Sequence, residues 1–170
     1  MGISNECIYK NMNHLIETAK NHNQFIRIDM EDSSLTDASI DLFKKCKEQY
    51  DLIGTVLQAY LFRSEKDLSE LQIIKGINLR LCKGIYREPE YIAIQGRQDI
   101  NNNYLKLLQF AFENNIYVCI ATHDLFLISE SYKLIIDLKI PKDRFEFQVL
   151  YGVPMSGWLE KHLENDYHVR

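Results

Sequence analysis

Residues 77–87, INLRLCKGIYR, decide how this chain is read. The run reads as a buried strand whose end places Arg80, Lys83 and Tyr86 beside Gly84. A glycine there lets another group come close to the backbone. Two cations at a strand end either pair with nearby carboxylates or serve a ligand, and the flanking sequence must choose between these.

Working outward, residues 52–61 read as another apolar strand, joined to the first by a short helix over 67–74. Further back, residues 25–28 form a short β-rich run that ends in Asp29, Glu31 and Asp32. Ser33, Ser34 and Asp37 can cap the helix that follows through Leu42, Phe43 and Cys46, which leaves Asp29 for other work. The chain opens with an amphipathic helix on Ile8, Met12, Leu15, Ile16 and Ala19, ending near residues 21–23. Downstream, a polar loop over 86–99 leads to a helix carrying Tyr104, Leu107, Leu108 and Ala111. Strands over 116–121 and 145–150, with helices over 125–138 and around 158–163, complete the pattern.

Near-continuous apolar strands alternating with helices indicate a parallel sheet covered on both faces. A complete open sheet of flavodoxin type would normally begin with a strand and bind ligands through a few loops. Here the chain begins with a helix, and polar groups end every strand: Asp29 and Glu31, Gln58 and Tyr60, Arg80 and Lys83, Thr122 to Asp124, Gln148 and Tyr151. Such a ring suits the mouth of a (β/α)8 barrel. Five strands are visible, so the expectation is a single partial barrel domain over residues 1–170.

The chain has 170 residues, 46% hydrophobic, with a net charge of -4 and a pI near 5.7. That charge disfavours a nucleic-acid binder, which needs a basic face. Cys7, Cys46, Cys82 and Cys119 form no compact metal-ligand pattern and read as reduced core thiols. There is no signal-peptide h-region and no apolar run of about 18 residues. Met-Gly-Ile-Ser fits a myristoylation signal poorly because Glu6 stands at the sixth position. A cytoplasmic protein without a transmembrane segment is expected.

Gln58 lies in an apolar run, where an unpaired amide costs about 1–3 kcal/mol, so it needs a partner. His123 beside Thr122 can hydrogen-bond a polar ligand or serve the structure alone. Phe110, Phe112, Phe126 and Phe145 read as packing. Three chemistries stay open on these residues. Lys83 beside Arg80 could form a Schiff base. Asp29, Glu31, His123 and Asp124 could hold a divalent metal. Arg80 and Lys83 could stabilise the negative charge of a reduced flavin.

Five segments together resemble the proline dehydrogenase family: FIRIDMEDSSLT at 25–36, GTVLQAYL at 54–61, LRLCKGIYREP at 79–89, IATHD at 120–124 and FEFQVLYGV at 145–153. They follow the family's order on successive strands. The resemblance implies a distorted (β/α) barrel that binds FAD and oxidises L-proline to 1-pyrroline-5-carboxylate, with a membrane quinone taking the electrons. It implies catalytic roles for Asp29 and Arg80. Met30, Gln58, Arg80, Cys82, Lys83, Gly84, Thr122 and His123 would contact FAD, and Tyr86 and Leu150 would line the proline pocket. No metal is implied, and location is cytoplasmic or peripheral at the inner membrane.

Cys82, Ile85 and Asp124 depart from the family's usual valine, alanine and asparagine. Ile85 adds bulk and Asp124 adds negative charge beside a phosphate-bearing cofactor. The matched segments correspond to about strands four to eight of the barrel, without the first three strands and the last helix. On that count the isolated chain is expected to have low activity, to expose strand edges, and to pair with a complementary chain or with itself. The alternative functions are a non-catalytic remnant or split-barrel subunit, and a Schiff-base or metal-dependent barrel lyase.

Overall fold

Ile16 and Ala19 give the first helix its buried stripe, while Leu15 faces solvent. This helix, α1 (Asn5–His22), stops where Asn23 turns left-handed with φ 50°. The computed structural model describes residues 5–170, and the amino-terminal Met-Gly-Ile-Ser stretch lies outside them. The chain divides into two compact units, Met1–Val56 and Leu57–Arg170.

In the first unit, β1 (Ile26–Arg27) runs parallel to the start of β2 (Ile53–Gln58), with Ile26 opposite Ile53 and Arg27 opposite Gly54. The Arg27 guanidinium donates to the Thr55 carbonyl at 2.7 Å. Between the strands, Asp32 accepts from the Ser34 amide at 2.9 Å and caps a short 3-10 turn, Ser33–Leu35. Ser33, Ser34 and Asp37 were expected to cap the following α-helix; Asp32 caps the 3-10 turn instead, and the α-helix starts after Leu35 with no side-chain cap. The helix α2 (Thr36–Lys47) then buries Ile40, Phe43 and Cys46.

The second unit holds the end of β2, then α3 (Ser64–Leu71), β3 (Asn78–Cys82), α4 (Arg97–Glu113), β4 (Tyr117–Ala121), α5 (Leu125–Asp137), β5 (Phe145–Gln148) and α6 (Trp158–Glu164). β3, β4 and β5 pair in parallel, with Arg80 opposite Cys119 and Cys119 opposite Glu146. Strand residues alternate between faces. Leu79, Leu81, Val118, Ile120, Phe145 and Phe147 make the buried face. Tyr104 of α4 reaches that layer, its hydroxyl donating to the Leu81 carbonyl at 3.1 Å. Asn78, Arg80 and Cys82 alternate with them and are only half-buried. The expected fully buried strand is therefore buried on one face and polar on the other.

Residues 168–170 add a further extended segment beside β5, which the sequence reading did not count. The Phe147 amide donates to the His168 carbonyl at 2.8 Å, and the Arg170 amide to the Phe147 carbonyl at 2.9 Å. Val169 lies parallel to Phe147. An aromatic box holds α6 in place: the His162 ring stacks on Phe147 at 3.9 Å and meets the Tyr132 hydroxyl at 2.8 Å.

Two packing expectations fail. Cys7 is exposed, although Cys46 and Cys119 are buried. Phe126 is also exposed, because the first turn of α5 lifts it away from the sheet. Among the described residues, no helix is long and apolar enough to cross a membrane.

Candidate active site

The parallel strands of the second unit deliver their polar residues to one end, where the chain leaves β3, β4 and β5. At β3, the backbone is fixed by its neighbour in sequence order. The Ala59 amide donates to the Cys82 carbonyl and the Tyr60 amide to the Lys83 carbonyl, both at 2.8 Å. Cys82 itself is half-buried, with its thiol 3.6 Å from the Leu57 carbonyl. Gly84 follows with φ +111°, and a Cβ there would lie 2.1 Å from Tyr60 Cδ1. The glycine is required by the Tyr60 ring and by the turn.

Lys83 and Asp124 form the electrostatic centre of this end. Lys83 Nζ lies 2.9 Å from Asp124 Oδ2, and Arg97 from the start of α4 reaches the same oxygen at 3.1 Å. The other carboxylate oxygen caps α5 by accepting from the Phe126 amide at 3.1 Å. Burial opposes ionisation of Asp124, but the bonds from Lys83 and Arg97 outweigh it and hold the carboxyl at about 2. The Thr122 hydroxyl accepts from the Asp124 amide at 3.1 Å, so Thr122 shapes the loop that presents this acid.

His123 accepts from the Leu150 amide through Nε2 at 3.0 Å. That bond places the ring proton on Nδ1 and ties the end of β4 to the segment after β5. Arg80 donates through Nε to Gln148 Oε1 at 2.6 Å. Gln58 is buried at the end of β2, and its backbone carbonyl accepts from the Ser64 hydroxyl at 2.6 Å. Tyr86 is half-buried, whereas Leu150 is exposed.

In the second unit these contacts link Lys83 with Asp124 and Thr122, His123 with Leu150, and Arg80 with Gln148. Asp29 and Met30 belong to the first unit, where Asp29 is exposed two residues after β1 and Met30 is buried. Sequence reasoning missed Arg97 and Glu146. The period-two pattern of FEFQ, which puts Glu146 on the same face as Gln148, was the signal for the second. Among the described residues no group of three or more His, Cys, Asp or Glu side chains could hold a metal ion. Lys83 would have to leave its ion pair to act as a Schiff-base nucleophile.

The family model described as proline dehydrogenase matches residues 2–170. Proline dehydrogenase 2 of Bacillus subtilis (strain 168) is 39% identical over 153 residues, covering 90% of this chain and 50% of the relative. Proline dehydrogenase of Deinococcus radiodurans is 35% identical over 163 residues, covering 94% of this chain and 52% of the relative. The chain therefore spans about half the length of the curated relatives it matches. In structure, proline utilization A from Bdellovibrio bacteriovorus superposes with a TM-score of 0.84 at 22% identity, over 95% of this chain and 19% of that one. The protein from Bradyrhizobium japonicum gives 0.81 at 19% identity, over 96% and 19%. These likenesses establish an α/β fold that forms part of a (β/α) barrel. With the matched model covering nearly every residue, the chain belongs to the proline dehydrogenase family.

Proposed function

We propose that this chain supplies the flavin-facing portion of an FAD-dependent proline dehydrogenase, which oxidises L-proline to 1-pyrroline-5-carboxylate on the way to glutamate. The observation that carries the reading is the strand-end set in which Gln148 holds Arg80, Asp124 holds Lys83, and His123 is fixed by the Leu150 amide. The donor chemistry fits a flavin dinucleotide. Its phosphates, and its ring on reduction, carry negative charge, and Arg80, Lys83 and Arg97 supply cations at this strand end.

On this reading Arg80, Lys83, Gly84, Cys82, Gln58, Thr122 and His123 of the second unit hold the cofactor, and Tyr86 and Leu150 face the substrate; the family resemblance gives Met30 a cofactor role as well. When bound, FAD would supply the two-electron oxidation of the proline carbon next to nitrogen. The protein's part is positional and electrostatic. A pre-oriented guanidinium at Arg80 meets developing negative charge without reorganising. Lys83, already paired with Asp124, contributes less net charge than an isolated lysine would. The family resemblance gives Asp29 a catalytic role. A quinone is the proposed electron acceptor, and a complementary chain or a second copy is the proposed protein partner.

Purified protein incubated with FAD, L-proline and a dye acceptor tests the reading. Retained yellow cofactor and proline-dependent dye reduction are expected, even if turnover is slow. Neither bound FAD nor dye reduction would leave the chain as a non-catalytic member of the family.

A further inference from the structure

Arg80 is held by a hydrogen-bond relay that starts well inside the second unit. Arg80 Nε donates to Gln148 Oε1 at 2.6 Å, and Gln148 Nε2 donates to Glu146 Oε1 at 2.5 Å. Glu146 is itself buried, with 6% exposure. Its carboxylate accepts from the Tyr117 hydroxyl at 3.2 Å and faces Arg170 Nε at 3.2 Å. The strand register explains why these groups meet: Arg80, Cys119 and Glu146 lie opposite one another across β3, β4 and β5. Gln148 is two residues beyond Glu146 and so shares its face.

The two ends of the Gln148 amide are not equivalent. An ionised carboxylate only accepts, so Glu146 draws the NH2 end of Gln148 toward itself and turns Oε1 toward Arg80. Turned over, the amide would set NH2 against the Arg80 Nε–H and oxygen against the Glu146 carboxylate. Hydrogen bonds involving charged groups are the stronger kind, so both contacts favour the observed orientation.

We propose that Glu146, acting through Gln148, is the positioning residue that aims the Arg80 guanidinium. Its functional weight rests on the flavin-site reading of Arg80. Its geometry does not.

The test is nuclear magnetic resonance of the full 170-residue chain without FAD or proline, following hydrogen exchange of the Arg80 Nε–H, assigned by its loss in Arg80→Lys. Loss of a bond to a charged group speeds this exchange by about tenfold or more. That acceleration is expected in Gln148→Leu, which removes the acceptor, and in Glu146→Gln, which leaves the amide free to turn over. Glu146→Asp, which keeps the charge beside Arg170 but shortens its reach, should accelerate exchange too and covers the case where the neutral variant fails to fold. The exchanged pair Glu146→Gln with Gln148→Glu should restore slow exchange, because a carboxylate then meets Arg80 directly. Backbone amide protection at Val118 and Ile120 should be unchanged throughout. Wild-type exchange rates in both Glu146 variants, with acceleration confined to Gln148→Leu, would overturn the proposal. Failure of FAD binding or turnover would overturn the proposed function and leave this exchange result intact.

Discussion

Gly84 and Asp124 show how single residues shape the candidate site. At Gly84 the backbone φ of +111° and the 2.1 Å approach of a would-be Cβ to Tyr60 act together. Gly84→Ala is expected to destabilise the fold by about 2–4 kcal/mol. Urea unfolding would measure this, and Tyr60→Ala in the same chain should recover the steric part but not the backbone part. The sequence reading placed Gly84 correctly as a close-approach position, but the group that approaches is an aromatic ring of the same chain. No spacing rule reports that, because Tyr60 and Gly84 meet only once the backbone of residues 59–60 has bonded to residues 82–83.

Asp124 carries a pH dependence whose direction follows from its partners. Its folded carboxyl titrates at about 2 against an ordinary value of 3.8. The ionised group therefore adds stability that is fully present above about pH 4 and is lost as the pH falls from there toward 2, worth up to about 2 kcal/mol. Asn can still cap α5, so Asp124→Asn isolates the ion pairs. The variant should be less stable than wild type at pH 5, with the gap narrowing to less than half by pH 2.5. A gap that stays constant would remove the ion pairs as its cause.

At the scale of elements, α6 depends on a neutral histidine. Burial, reinforced by the nearby Lys161 ammonium, lowers the His162 pKa from 6.5 to about 4. Between those values the unfolded chain holds the extra proton. Stability is thus fully present above about pH 6.5 and falls toward pH 4, by up to about 3 kcal/mol. Urea midpoints at pH 7 and pH 4.5 would show this slope, and His162→Phe should flatten it even though Tyr132 loses its partner. The segment after α6 makes its own contribution. Removing residues 168–170 strips the backbone bonds from Phe147 and the Arg170 partner from Glu146. Faster hydrogen exchange at the Phe147 amide is the expected result.

The named helices and strands were legible in the sequence, each within a few residues, because their apolar periods are regular. Three features were not. Leu15 fits the helical period of α1 yet faces solvent, since that helix buries a narrower stripe than its sequence offers. The extended segment at residues 168–170 lacks the apolar run that marks a strand. The sequence reading left Arg97 in the polar loop over 86–99, whereas it opens α4, and its reach to Asp124 is set by how α4 and α5 begin at the same end of the sheet.

For the molecule as a whole, the family was legible from five ordered segments, and the match over residues 2–170 bears it out. The strand-end residues of the second unit were also legible as a group. Their internal pairing was not, since Lys83 with Asp124 and Arg80 with Gln148 join residues 41 and 68 positions apart. The account's central claim is that this strand end is a flavin site organised around Arg80. Titrating FAD into the purified chain, with flavin absorbance as the signal, tests it most directly. Saturable binding with a shifted flavin spectrum, weakened by about tenfold or more in Arg80→Ala, is the predicted result. A flavin spectrum that never departs from that of free FAD, or equal affinity in wild type and Arg80→Ala, would contradict it.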